Sequence, residues 1–193
     1  MVPRMIVVAG PPGSGKSSIF PVRSFGVAHF NADDRAAELN AGSYIGIAKE
    51  IRQTVNREFE AFVSRCIHRR ISFAIETTLR SSATFEQARS AKAAGFVTEM
   101  RYLALRNFAM HLERVKIRAD AGGHSASETT LQRIYASSLA NLPRAMAEMD
   151  DLWVYDNTKV GGPPKLLLEA EKGRICFFLE DLPDWLARLF DLT

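Results

Sequence analysis

The stretch Gly10-Pro-Pro-Gly-Ser-Gly-Lys-Ser17 fits the pattern G-x-x-x-x-G-K-[ST] at every position. Glycines at that spacing let a backbone wrap closely around a phosphate, with successive N–H groups turned inward. Lys16 is then placed to bridge the β- and γ-phosphates of a nucleoside triphosphate, and the Ser17 hydroxyl to ligate Mg²⁺. The expected nucleotide-binding segment therefore runs through Gly10, Pro11, Pro12, Gly13, Ser14, Gly15, Lys16, Ser17 and Ser18. An apolar run, Met5–Ala9, precedes it, and residues able to open a helix follow, whose N-terminus would add positive potential. The motif specifies a triphosphate and not a reaction. A GTPase would also carry an N-K-x-D base reader, and Asn157-Thr-Lys-Val lacks the aspartate. A motor ATPase would end a hydrophobic strand in aspartate, where Phe73-Ala-Ile75 leads into Glu76.

Two acidic stretches could complete a transfer site. Asn31-Ala-Asp-Asp34 follows an apolar run, which in a parallel sheet places it at a strand's C-terminal end, beside the phosphate loop. A carboxylate there can take the proton of an attacking hydroxyl. One of Asp33 and Asp34 would cap the helix that follows; Asp33 is assigned to catalysis and Asp34 to structure. Ile75-Glu-Thr-Thr-Leu-Arg80 ends a strand in the same manner. Glu76 there can meet Mg²⁺ through water, hold an acceptor hydroxyl, or pair with an arginine, while Thr77, Thr78 and Arg80 are placed to bind an acceptor or a phosphate. Arg114 and Arg118, four apart, share a helix face. Ala121-Gly-Gly-His124 separates them from Arg133, an arrangement suited to a lid over about 114–135 whose arginines close over a transferring phosphoryl group. His124 reads as an acceptor-side hydrogen-bonding group or a loop residue. His29, His68 and His111 are scattered and show no ligand pairing.

The elements that must position these groups alternate as in an α/β fold with a mostly parallel sheet. Strands are expected at Met5–Ala9, Val27–Phe30, Ile71–Ile75, Val97–Leu105 and Trp153–Tyr155. Ile51, Val55, Phe59, Phe62 and Cys66 lie on one helix face, and Phe108, Leu112 and Val115 mark a second helix. A third starts at the capping-box pattern Ser125-Ala-Ser-Glu128 and runs through Leu131, Tyr135, Leu139 and Leu142. Leu166–Leu168 and Ile175–Leu179 read as a β-hairpin covering the sheet edge, and a short helix from Pro183 to Phe190 follows.

With 193 residues, 47% of them apolar and 24% charged, the chain has the composition of a globular protein and the length of one domain, spanning 1–193 with an appendage over about 160–193. Residues 1–143 carry 19 basic and 12 acidic side chains, a balance of +7, while 144–193 carry 6 basic and 10 acidic, a balance of −4. That body suits anionic small ligands, and no Lys/Arg run demands nucleic acid. Cys66 and Cys176 show no metal spacing and read as reduced, mostly buried thiols. No apolar run approaches the roughly 18 residues of a membrane span, and Met5–Ala9 is too short for a signal peptide, so a soluble cytoplasmic protein is expected.

The phosphate loop, Asn31-Ala-Asp33, Ile75-Glu-Thr-Thr-Leu-Arg80, Arg118 with Gly122-Gly-His124, and Arg133 together resemble the zeta-toxin family of P-loop kinases, in particular its short chromosomal branch, over roughly residues 3–157. The resemblance implies a P-loop NTPase fold and an ATP- and Mg²⁺-dependent kinase. It makes Lys16 the phosphate-loop lysine, Asp33 the general base, Glu76 an acceptor-site carboxylate, and Arg118 and Arg133 the phosphate clamp. It also implies a UDP-amino-sugar such as UDP-N-acetylglucosamine as acceptor, with a small antitoxin as partner. The sequence departs from the family in Glu-Thr-Thr-Leu-Arg, where zeta toxins usually have Glu-Gly-Thr, and in its Gly-Gly-His lid. Two other readings stay open: a kinase of nucleic-acid 5′-hydroxyls using the basic residues of 49–70, and a non-catalytic, ATP-gated interaction module.

Overall fold

The structure, a computed structural model, describes residues 2–120 and 126–192. Its central strand is β1 (Arg4–Ala9), in which Met5 through Ala9 are fully buried. A run without polar alternation is what a strand covered on both faces needs. Parallel neighbours β3 (Phe73–Thr77) and β4 (Val97–Ala104) flank it, with Met5 opposite Phe73 and Thr98. Outside these lie β2 (Ala28–Phe30) and β5 (Asp151–Asp156), also parallel, and the sheet continues antiparallel through β6 (Lys165–Glu171) and β7 (Arg174–Phe178). The order is β2-β3-β1-β4-β5-β6-β7. The chain leaves β1 for the outer strand β2 on one side and later returns to build β4 on the other, so the phosphate loop sits where the strand order reverses. Open α/β sheets bind ligands there.

The helices are α1 (Lys16–Ile19), α2 (Ala32–Leu39), α3 (Lys49–His68), α4 (Ala83–Ala93), α5 (Phe108–Asp120), α6 (Glu128–Ala140), α7 (Leu142–Glu148) and α8 (Asp184–Leu189), with a 3₁₀ turn at Val22–Phe25. The two sheet faces are covered unequally. Met5, Val7 and Ala9 join Phe62, Phe85, Leu142 and Leu186 in a large core under α3, α4, α7 and α8. Ile6 and Val8 join only Val22, Ala74 and Leu103, backed by Ile19 and Phe20. On that thinner side the Arg101 guanidinium lies over the rings of Phe25 and Trp153, 5.1 and 4.8 Å from their centroids, and its aliphatic stem extends the apolar cover.

The expected α/β architecture stands, with differences at element ends. β3 starts at Phe73 because Arg70, with φ 54°, ends the preceding helix in a left-handed turn, and the Ile71 N–H bonds back to the Cys66 carbonyl. Neither aspartate of the 31–34 stretch caps α2. Asn31 is the cap, its Oδ1 accepting from the N–H groups of Asp33 (3.0 Å) and Asp34 (3.3 Å). Of the expected capping box, Ser125 lies outside the described residues, and the cap of α6 is Ser127, whose Oγ accepts from the Thr130 N–H. That helix also stops short of Leu142. Asn141 ends it and starts α7, with Pro143 in the first turn, and the Asn141 side chain donates to the Leu79 carbonyl at 2.9 Å. The hairpin turn is Lys172-Gly173, both with positive φ, the backbone that matches the twist of paired strands. Both cysteines are free thiols, and while Cys66 is buried, Cys176 is exposed on β7, contrary to expectation.

Candidate active site

The phosphate loop joins β1 to α1, and each end is pinned. Gly10 (φ 140°) passes so close to β4 that a Cβ would overlap the Leu103 carbonyl. Lys16 is 7% exposed, and its Nζ donates to the carbonyls of Gly10 (2.8 Å) and Pro11 (3.1 Å), folding the ammonium over the loop it belongs to. Burial lowers its pKa; Glu76 and Asp33 act in the opposite direction, while Arg118 acts with the burial. These four charged residues from four elements thus share one electrostatic neighbourhood. α1 is a single turn, because Phe20 and Pro21 divert the chain. The positive potential at the loop therefore comes from Lys16 more than from a helix dipole.

Ser17 Oγ donates to Glu76 Oε2 at 2.9 Å. Among the described residues this contact, rather than an arginine pair, is what Glu76 makes, and it leaves two oxygen ligands side by side next to the loop. Ser14 Oγ is buried with no hydrogen-bond partner among the described residues. A buried hydroxyl of that kind costs stability unless something satisfies it. A phosphate oxygen bound in this loop would do so, and the residues present fit a magnesium–triphosphate complex. Among the described residues, no group of three or more His, Cys, Asp or Glu could hold a metal by itself.

Asp33 stands exposed in the first turn of α2 and accepts no side-chain hydrogen bond among the described residues, while Asp34 accepts from the Tyr44 hydroxyl at 2.9 Å. Ser17, Asn31, Asp34 and Glu76 line an open cleft of about 400 Å³ with Arg23 and His29 on its walls. Thr77 Oγ1 accepts from the Leu79 N–H at 3.0 Å and so closes the turn after β3, where Leu79 has φ 56°. Thr78 is half-buried and Arg80 exposed. On α5, Arg118 is exposed, and on α6 Arg133 is exposed. Arg114, expected beside Arg118 over the phosphates, instead donates to the carbonyls of Asn157 (2.9 Å) and Thr158 (3.1 Å). Ala121, Gly122, Gly123 and His124 lie outside the described residues.

Two positioning residues were not legible in the sequence. Buried His111 accepts from the Leu105 N–H through Nε2 (2.9 Å), which leaves the proton on Nδ1 to donate to the Pro12 carbonyl (2.9 Å). Burial lowers its pKa to about 4, so the ring is neutral at pH 7. Asn157, at the end of β5, donates from Nδ2 to the Ser14 carbonyl at 2.8 Å. With Ile19, Arg114 and the 159–163 loop it also lines a second cleft of about 430 Å³. Their place after strands β4 and β5 was the available signal, since every parallel strand of such a sheet delivers its C-terminal end to the site.

A family model described as Zeta toxin matches residues 1–161. Among solved structures, the chain is similar to one from the PezAT chromosomal toxin–antitoxin system of Streptococcus pneumoniae, with a TM-score of 0.68 and 14% identity, over 99% of this chain and 83% of that one. It is similar to AvrRxo1-ORF1:ORF2 with ATP at a TM-score of 0.69 and 14% identity, covering 99% of this chain and 63% of that one. A putative kinase from Chloroflexus aurantiacus matches with a TM-score of 0.55 at 15% identity, over 70% of this chain and 80% of that one. At such identities these likenesses establish the fold. An uncharacterized protein of Haemophilus influenzae is 29% identical over 69 residues, 36% of this chain, and the match spans about half of that relative's length (49%).

Proposed function

The chain belongs to the zeta-toxin family, and from that premise we propose that it transfers the γ-phosphoryl group of ATP to a hydroxyl of a small molecule. The observation that carries the proposal is the convergence of Lys16, the Ser17–Glu76 pair and the exposed Asp33 carboxylate on one phosphate loop beside an open cleft. Lys16 and the N–H groups of Gly13, Gly15, Lys16 and Ser17 hold the β- and γ-phosphates, and the Ser14 hydroxyl gains its missing partner there. Ser17 and Glu76 hold Mg²⁺, which when bound neutralises charge on the phosphates. Asp33 takes the proton of the acceptor hydroxyl as that oxygen bonds to the γ-phosphorus and the bridging bond to the β-phosphate breaks, releasing ADP. Arg118 and Arg133, from the two lid helices, stabilise the charge that spreads over the transferring group. Asn31, Thr77, Thr78, Arg80 and His124 belong to the acceptor side, with Asn31 also fixing the start of α2 and so the direction of Asp33. By family likeness the acceptor to try first is a UDP-amino-sugar. The likeness to a toxin–antitoxin system likewise makes a small antitoxin the protein partner to seek, in the cytoplasm where ATP is available.

The test is transfer from γ-labelled ATP with Mg²⁺ to a panel of sugars, UDP-sugars, nucleosides and 5′-hydroxyl oligonucleotides. Asp33→Asn should lower transfer at least about 100-fold while ATP still binds, as loss of a general base does, and Asp34→Asn should retain most of the rate. Lys16→Ala should lose ATP affinity as well. Full turnover by Asp33→Asn would remove Asp33 as the base. Label in no acceptor, with ATP bound, would remove the kinase reading and leave the interaction module.

A further inference from the structure

Single apolar side chains on a surface need no explanation, but a group of them beside a cleft does. Leu39, Tyr44 and Ile45 are 39, 43 and 57% exposed, and all three lie at the end of α2 or in the loop that leads to α3. That loop is held by its own hydrogen bonds. Asn40 Nδ2 donates to the carbonyls of Ser43 and Ile45, both at 2.9 Å, and Ser43 Oγ accepts from the Ile45 N–H at 3.2 Å. The Gly42 N–H closes back on the Ala37 carbonyl at 2.8 Å. A segment tied in this way loses little further freedom when a ligand settles on it.

Tyr44 joins the loop to the cleft beside Ser17. Its hydroxyl donates to Asp34 Oδ1 at 2.9 Å, and Asp34 lines that cleft with Asn31, Glu38, Ser17 and Glu76. The same hydroxyl is harder to ionise than usual, through its bond to Asp34 first and then the charges of Asp33 and Glu38, so it sits in the field of the first two turns of α2. With its one proton committed to Asp34, the phenol has no donor left for a sugar hydroxyl. What it still offers is the face of its ring, against which no other ring packs among the described residues. An aromatic face suits a flat heteroaromatic ring, and stacking of one base is worth about 1–3 kcal/mol whichever base it is. We propose that Tyr44 is a specificity-determining residue of the acceptor side, its ring stacking on the base of a nucleotide-linked acceptor whose sugar hydroxyl is turned toward Asp33. This deepens the phosphotransfer reading and rests on it. The preference it creates is for acceptors that carry a base over those that do not, and not for one base over another.

The test uses two ligands with the same sugar, UDP-N-acetylglucosamine and N-acetylglucosamine 1-phosphate, of which only the first carries a base. Binding is read by calorimetry on protein loaded with a non-hydrolysable ATP analogue and Mg²⁺, and transfer with γ-labelled ATP. Tyr44→Ala should weaken UDP-N-acetylglucosamine at least about tenfold, the size of one lost stack, and leave N-acetylglucosamine 1-phosphate within about twofold. In transfer the loss should appear in KM with kcat little changed. Tyr44→Phe keeps the ring, gives up the bond to Asp34, and should retain most of the affinity. Unchanged affinity for the ATP analogue in both variants checks that they fold. Wild-type affinity of Tyr44→Ala for UDP-N-acetylglucosamine overturns the inference. Equal losses for the two ligands also overturn it, because Tyr44 would then be a tether of α2 and not a platform. So does a wild type that binds UDP-N-acetylglucosamine no better than the base-free sugar phosphate. The expected binding order without any transfer of label upholds the stacking role and overturns the phosphotransfer reading alone.

Discussion

Gly13 occupies a position that the phosphate-loop pattern leaves free, and the fold closes it. Its φ is 79°, and a Cβ built there would lie 2.6 Å from the backbone carbonyl of His111 in the first turn of α5. Gly42 offers a control, since its φ of 83° is almost the same and nothing lies within 4 Å of its Cβ position. Alanine at either site bears the left-handed penalty of about 1–2 kcal/mol, and alanine at Gly13 must also push α5 off the loop. Gly13→Ala should therefore unfold at lower urea than Gly42→Ala, by a margin of at least about 1 kcal/mol, and it alone should lose ATP binding. Equal stability and equal ATP affinity of the two variants would mean that α5 gives way freely and does not hold the loop. The residue scale thus divides what the sequence could disclose. Gly10, Gly15, Lys16 and Ser17 were readable because local backbone geometry and phosphate chemistry dictate them. The demand on Gly13, and the roles of His111 and Asn157, come from backbone carbonyls 99 and 143 residues away in the case of the two side chains. No local pattern records such a partner.

Elements built on a strong apolar rhythm were the legible ones. β1 is a continuous apolar run, β4 ends in one at Tyr102–Ala104, and α3 buries Val55, Phe62, Val63 and Cys66 along one face. α4 was not legible because, apart from Phe85, its buried side is Thr84, Ala88 and Ala91, small residues that contrast little with the polar ones between them. α5 was legible from its apolar spacing, but not what it does. Its first turns carry His111 against the phosphate loop and its middle carries Arg114 against the 157–158 carbonyls, while the His111 ring packs edge-on against Tyr135 of α6 at 5.1 Å. A shift of α5 or α6 therefore reaches Pro12 through one imidazole. That imidazole works only when neutral, because Nε2 must accept the Leu105 N–H. Burial first, then Lys16 and Arg114, depress its pKa to about 4, against partial compensation from its bond to the Pro12 carbonyl and from Asp156. An unfolded histidine titrates near 6.5, so the unfolded chain binds the extra proton between the two values. Stability is complete above about pH 6.5 and is lost as pH falls toward 4. Wild type should lose about 2 kcal/mol more than His111→Gln between pH 7 and pH 5, read as urea midpoints at both values. Parallel losses in the two proteins would show that His111 is protonated in the native state already.

At the scale of the molecule, the charge shift near residue 144 and the end of the family match at 161 both invite a division that the packing opposes. β6 extends the main sheet beside β5, with Leu167 and Leu168 buried, and α8 sends Leu186 to full burial in the same core cluster as Val7 of the central strand and Phe85 of α4. The acidic surface of this segment is a property of its outer face, and its inner face belongs to the core beneath the phosphate loop. We propose on this ground that residues 1–193 unfold as one cooperative unit. Leu186→Ala removes a fully buried side chain and should cost about 3 kcal/mol. Urea unfolding followed by tryptophan emission, from Trp153 in β5 and Trp185 in α8, should then move together with unfolding followed by release of a fluorescent ATP analogue at the loop. A variant in which the tryptophan signal moves to lower urea while nucleotide release keeps the wild-type midpoint would mean that the hairpin and α8 melt as a separate appendage. The cost of Leu186→Ala would then fall on that appendage alone, and the site would need only the strands from β1 to β5.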